Sequence, residues 1–280
     1  MCYSVRDKGV IVTGAAAGVG LATAKLFMES GARVLAADIN RDRLHDELGS
    51  RLPRTASMFT GDLRQKLTRH NLMSAALADI GRLDVLVCAS RQIIESKAQD
   101  FSTQCLETML DQNFLLQFHL AKLAARTFMD QAADESDQMA GNAESNKPIG
   151  TIINLSSIAA QRTRPGLLEF SISTAALDQV TRSLAVAFAR RRIRVNGVSY
   201  GTLHKPNWTD VFIDLNLSSD HEASASEIKR AIPVGRLVEA DEVAQLVRFL
   251  ASDATPFLTG QVITVDGGRT LLDSSTMLRF

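Results

Sequence analysis

Short runs of β-branched and aliphatic residues alternate with helix-length amphipathic segments from the first residues to about position 200. Apolar strands joined by helical crossovers are what a parallel sheet demands, so this alternation constrains the architecture more than any single residue. The strands read as 9–13, 33–37, 57–60, 85–89, 150–155, 195–199 and 262–265. The expected fold class is α/β: a doubly wound parallel sheet of about seven strands with helices on both faces. A chain of 280 residues can bury such a sheet as one domain, 1–280. Two stretches break the pattern. Segment 130–147 is polar and without a helical stripe after its first turn, and reads as a flexible surface loop. Segment 205–231 holds the only tryptophan, Trp208, and follows the sixth strand, a place suited to a lid over a ligand.

Charge and cysteine usage narrow the functional classes. The formal net charge is zero, which argues against a general attraction to nucleic acid or an anionic membrane. No apolar run approaches the length of a membrane span, and the N-terminus enters an apolar strand without a secretory pattern. Cys2, Cys88 and Cys105 show neither disulfide nor metal-ligand spacing, so no metal is expected and a reducing cytoplasm fits best.

The first strand runs straight into Gly14-Ala-Ala-Ala17-Gly18-Val19-Gly20 and then into a helix expected over 21–30. Glycines there allow a tight turn and a close approach of backbone to a pyrophosphate, whose charge is favoured by the helix N-terminus. Asp38 follows Gly20 by eighteen residues, at the end of the second strand. A carboxylate at that point accepts hydrogen bonds from an adenosine ribose and repels a 2′-phosphate, and Ala17 offers no base to offset the repulsion. The cofactor expected is NAD, with a plain turn cap as the alternative role of Asp38. Asp62 and Leu63 after the third strand, and Ala89 after the fourth, complete the expected cofactor-binding set.

TGAAAGVG at 13–20, LDVLV at 83–87, IINLSSIAA at 152–160, IRVNGVSYG at 193–201 and LTGQVITVDGG at 258–268 resemble, in order, blocks of the short-chain dehydrogenase/reductase family. The pattern is most similar to the 3-oxoacyl-(acyl-carrier-protein) reductases. The resemblance implies a Rossmann-type fold, an NAD(H)-linked oxidoreductase acting on a carbonyl or alcohol, and a small-molecule or acyl-thioester substrate. It also implies a homotetramer, or a heterotetramer with an active homologue, through the apolar helix face Ala175, Ala176, Val180, Leu184 and Phe188 and the last strand.

By the same resemblance Ser157 and Asn113 are the catalytic serine and asparagine. The family's tyrosine and lysine are missing: Phe170 and Thr174 stand where YxxxK belongs, and the only tyrosines are Tyr3 and Tyr200. General acid–base help is worth ~10²–10⁴ in rate, so the ordinary reaction should be impaired. Arg91 replaces a glycine that leaves room for the nucleotide, and would either swing to solvent or fill the pocket. Tyr200 replaces a proline. Two readings stay open: an enzyme with an unusual acid, drawn from Tyr200, His204 or a water held by Ser157, and a non-catalytic paralogue that binds a dinucleotide or assembles with an active relative. Bland roles also remain for Asn113 as a core polar group, Ser157 as a strand-end cap, His119 as a packed residue and Cys88 as an inert buried thiol.

Overall fold

The computed structural model describes residues 3–94, 102–138, 147–163, 166–203 and 229–272. Strands β1 (Gly9–Thr13), β2 (Arg33–Asp38), β3 (Ala56–Thr60), β4 (Val85–Cys88), β5 (Gly150–Ser157), β6 (Ile193–Tyr200) and β7 (Val262–Val265) form one parallel sheet in the order β3-β2-β1-β4-β5-β6-β7. Every residue of β1, β4, β5 and β6 is buried, which explains their continuous apolar character: helices cover both faces of a parallel sheet.

Alternate strand residues feed two cores. Val10, Val12 and Val198 pack with Phe27 of α1 (Gly18–Glu29) and with Val243 and Val247 of α7 (Ala240–Ala251). Ile11, Leu86 and Ile152 pack with Leu72 of α3 (Lys66–Ile80), Phe128 of α5 (Leu116–Gln138) and Leu184 of α6 (Leu168–Ala189). The short helices α2 (Arg41–Leu48) and α4 (Thr103–Leu110) complete the described set, and a π-turn over Asp111–Leu115 joins α4 to α5. No described helix is long and apolar enough to cross a membrane.

Four expectations are corrected. Helix α1 begins at Gly18 rather than residue 21, because the glycines form its first turn. Strands β5 and β6 run on to Ser157 and Tyr200, which pair in register. Helix α5 continues to Gln138, into the segment read as a loop, and tertiary contacts hold it there. Gln131 bonds both backbone groups of Leu83, at 2.8 and 2.7 Å, and Glu135 pairs with Arg82 at 3.2 Å. Residues 139–146 lie outside the described residues. Finally, the stripe Val180, Leu184 and Phe188 packs into the core, and the outward face of α6 carries Ile172, Ala175 and Val186 instead.

Candidate active site and nucleotide cleft

The sheet order reverses at β1 and β4, and the residues singled out above gather at the carboxyl ends of the strands beside that point. Gly14 and Gly18 have positive φ, +66° and +53°. A Cβ on Gly14 would meet the Ser90 backbone nitrogen at 2.7 Å, and one on Gly20 would meet the Gly14 carbonyl oxygen at 2.1 Å. A side chain is therefore excluded at Gly14 by conformation and space, at Gly18 by conformation and at Gly20 by space. Ala17 caps α1 in an extended conformation without a side-chain bond, so no side-chain oxygen competes for the N–H groups of the first turn, where Val19 and Gly20 lie.

Asp38 braces this loop. Its Oδ2 accepts from Ala16 N at 3.0 Å and its Oδ1 from Asn40 N at 2.9 Å. Each carboxylate oxygen keeps a second acceptor position for a ligand hydroxyl, so the turn-cap role and a ribose-binding role coexist. At Asp62 both oxygens engage Arg64 at 2.9 Å, and that charge-assisted pair holds the carboxyl below its ordinary value. Leu63 is buried, and the buried Arg69 donates to the Leu63 and Arg64 carbonyl oxygens at 2.9 and 2.6 Å. Arg64 and Arg69 escaped the sequence reading. The Asp-x-Arg spacing at 62–64 was the one signal for the first; Arg69 looks like any helix-surface arginine until the turn folds onto it.

The far end of the cleft is built differently. Ser157 Oγ accepts from Ala159 N at 3.2 Å and caps the short helical turn Ile158–Ala160. Phe170 is buried with Met109 and Ala159 in a small apolar cluster. Thr174 Oγ1 and Ser173 Oγ both donate to the Phe170 carbonyl oxygen at 2.9 Å, so neither hydroxyl proton is left for a ligand. Asn113, buried in the π-turn, accepts from Gln92 N at 2.8 Å and donates to Gln92 O at 2.9 Å and Ser173 Oγ at 3.1 Å. Its amide holds the chain leaving β4, and among the described residues no hydrogen bond joins it to Ser157. Two residues without an assigned role do the same work. Thr13 Oγ1 accepts from Ala89 N and Ser90 N at 3.1 and 3.3 Å, and Gln117 Nε2 donates to Ser90 O at 2.6 Å. Gln117 lies four positions after Asn113, a helical spacing that was its only signal.

Arg91 does not swing to solvent: its guanidinium carbon lies 4.4 Å above the centroid of the Tyr200 ring. Such a cation–π contact is worth about 0.5–2 kcal/mol. Burial pushes the Tyr200 phenol up, with Arg91 pulling partly the other way, so the phenol is neutral at pH 7. Burial also pushes the Cys88 thiol up, which removes it as a nucleophile. His119 is half-buried against Phe118, and desolvation, then the charges of Arg69 and Lys122, push its imidazole down. His204, Trp208 and nearly all of 205–231 lie outside the described residues. No cluster of metal-ligating side chains occurs among the described residues. A dinucleotide would meet two unlike halves here. The glycine loop and Asp38 fit a diphosphate and a ribose, whereas the Arg91–Tyr200 stack and the Phe170 cluster lie towards β5 and β6.

Residues 14–270 match the family model described as enoyl-(acyl carrier protein) reductase. The chain is 30% identical to a glucose 1-dehydrogenase of Gluconobacter oxydans over 268 residues, 94% of this chain and 92% of the relative. It is 28% identical to a 3-oxoacyl-[acyl-carrier-protein] reductase of Thermotoga maritima over 271 residues, 94% and 98% of the two chains. Among solved structures it is similar to a short-chain type dehydrogenase/reductase from Mycobacterium marinum, with a TM-score of 0.78, 25% identity and 97% and 98% coverage. The match along nearly the whole chain, together with a seven-stranded parallel sheet and a glycine loop at its switch point, means that the chain belongs to the short-chain dehydrogenase/reductase family, oxidoreductases that use NAD or NADP on small-molecule substrates.

Proposed function

We propose that this single-domain chain is an NAD(H)-binding short-chain dehydrogenase/reductase in which the family's carbonyl–alcohol chemistry is impaired. The observation that carries the reading is the corner around Phe170: an apolar ring in place of a proton donor, with Thr174 bonded back to its own helix. When bound, a nicotinamide supplies or accepts the hydride. Everything else falls to the chain. Gly14, Gly18 and Gly20 admit the diphosphate, the first turn of α1 favours its charge, and Asp38 takes the ribose hydroxyls while repelling a 2′-phosphate. Ala89 and Ser90 pack against Gly14, and Asp62 and Leu63, which follow β3, would meet the adenine. Ser157 retains a hydroxyl proton to donate, because its observed bond is an accepted one. No phenol or lysine stands beside it on α6 to supply the one proton that the carbonyl oxygen takes up, or to tune such a donor.

The test is turnover of a simple ketone and of an acetoacetyl thioester, the latter chosen because the Thermotoga maritima relative is named as a 3-oxoacyl reductase. Wild type should run at least ~10²-fold below active relatives, the low end of what a general acid contributes. Full activity would overturn the reading, and Tyr200→Phe would then identify the replacement acid.

A second reading, assembly as a homotetramer or with an active homologue, is favoured by apolar side chains left on the surface. Val186 is 81% exposed on α6 and Phe257 is 100% exposed just before β7. Free Cys88 and Cys105 support a reducing compartment, the cytoplasm.

A further inference from the structure

Arg91 is set in a stretch of chain with little freedom. Ser90 before it is held by Thr13 and Gln117, and Gln92 after it is held through both backbone groups by Asn113. Strands β4, β5 and β6 are neighbours, about 4.8 Å apart from one to the next. From the end of β4, Arg91 therefore spans the end of β5 to reach Tyr200 at the end of β6, beside Ser157, the register partner of Tyr200. Phe170, Met109 and Ala159 close the adjoining corner. At the β1 end of the same cleft lies the glycine loop, with Gly14 and Gly18 at positive φ and Gly14 and Gly20 packed so closely on neighbouring backbone that no Cβ fits. Arg91 is half-buried, and among the described residues no carboxylate pairs with it.

We infer that the cleft is an adenosine-diphosphate site: the ligand is held by its adenosine and diphosphate, and the Arg91–Tyr200 stack occupies the position of a nicotinamide. The inference rests on reading the cleft as a nucleotide site and narrows its ligand class. NAD(H) binds through its adenosine half, with the nicotinamide left outside. An oxidised nicotinamide is positively charged and meets Arg91 as a like charge, so NAD⁺ is disfavoured further.

Competition titrations with ADP, NADH and NAD⁺ on the full chain test this, with wild type beside Arg91→Gly. Wild type should bind ADP and NADH within about threefold of each other and NAD⁺ more weakly. Arg91→Gly removes both bulk and charge, and should tighten NADH and NAD⁺ about tenfold relative to ADP, the factor that a stacked cation of this kind is worth. If that variant does not fold, Arg91→Ala is read by the same ratio. Wild type preferring NADH over ADP by about tenfold or more, or a ratio that neither variant moves, overturns the inference and leaves NAD(H) binding intact. Failure of both ADP and NADH to bind wild type overturns the nucleotide reading itself, and this inference with it.

Discussion

Phe170 and Thr174 on α6 and Arg91 beyond β4 bear on different parts of the proposed reaction, and their effects should be separable by substitution. Phe170→Tyr with Thr174→Lys restores the proton donor and its tuning charge, and Arg91→Gly restores space for the reacting ring. The triple variant should show ketone or thioester reduction at least ~10²-fold above wild type in a steady-state assay, the low end of general acid catalysis; if it binds NADH and stays inert, damage lies elsewhere in the site. At the other end, Asp38→Ala should lower NADH affinity about tenfold and narrow the gap to NADPH, since a ribose partner and a repulsive charge go together. Calorimetry that finds wild type already preferring NADPH would contradict that assignment. Asn113 also bears on stability. Asn113→Leu removes two part-buried hydrogen bonds to the Gln92 N–H and C=O, each worth about 1 kcal/mol, and the shortfall should appear in urea unfolding.

Helix ends carry the element-scale effects. In α7 the N-cap Glu239 and Glu242 form a capping box, and Arg236 grips Glu242 with two 2.7 Å bonds. The Arg236 bonds first, then the Glu239 backbone N–H, hold the Glu242 carboxyl at about 2 against an ordinary 4.5. A depressed carboxyl stabilises the fold above its unfolded value and loses that contribution as pH falls from 4.5 towards 2. Glu242→Gln should therefore cost about 1 kcal/mol at pH 7, a figure limited by the exposure of the pair, and almost nothing near pH 2. Equal destabilisation at both pH values would show that the charge is irrelevant. The strands were legible as elements because their apolar runs reflect burial on two faces, a local property. Their ends were less so: the seven-residue polar stretch 132–138 shows no stripe of its own and is helical because Gln131 and Glu135 reach back to Leu83 and Arg82.

For the whole molecule, the outward face of α6 and the turn before β7 expose apolar side chains that a monomer would leave in water, Ile172 and Val186 on the first and Phe257 on the second. Light scattering at micromolar concentration should find a tetramer, and a stable monomer would rule out these faces as contacts. The core stripe shows why the sequence misassigned that surface. Val180, Leu184 and Phe188 recur at helical spacing, which marks an apolar face without saying whether a sheet or another chain will cover it. By itself the sequence determined the alternation of strands and helices, the glycine loop with its acid at Asp38, and Phe170 and Thr174 at the positions where the family resemblance implies a tyrosine and a lysine, because each is a matter of residue type at a fixed local spacing. Only the tertiary structure decided that Asn113 bonds Gln92 and that Arg91 lies across the end of β5 on Tyr200. Those contacts join residues 21 and 109 positions apart, brought together by a strand order that no local period encodes.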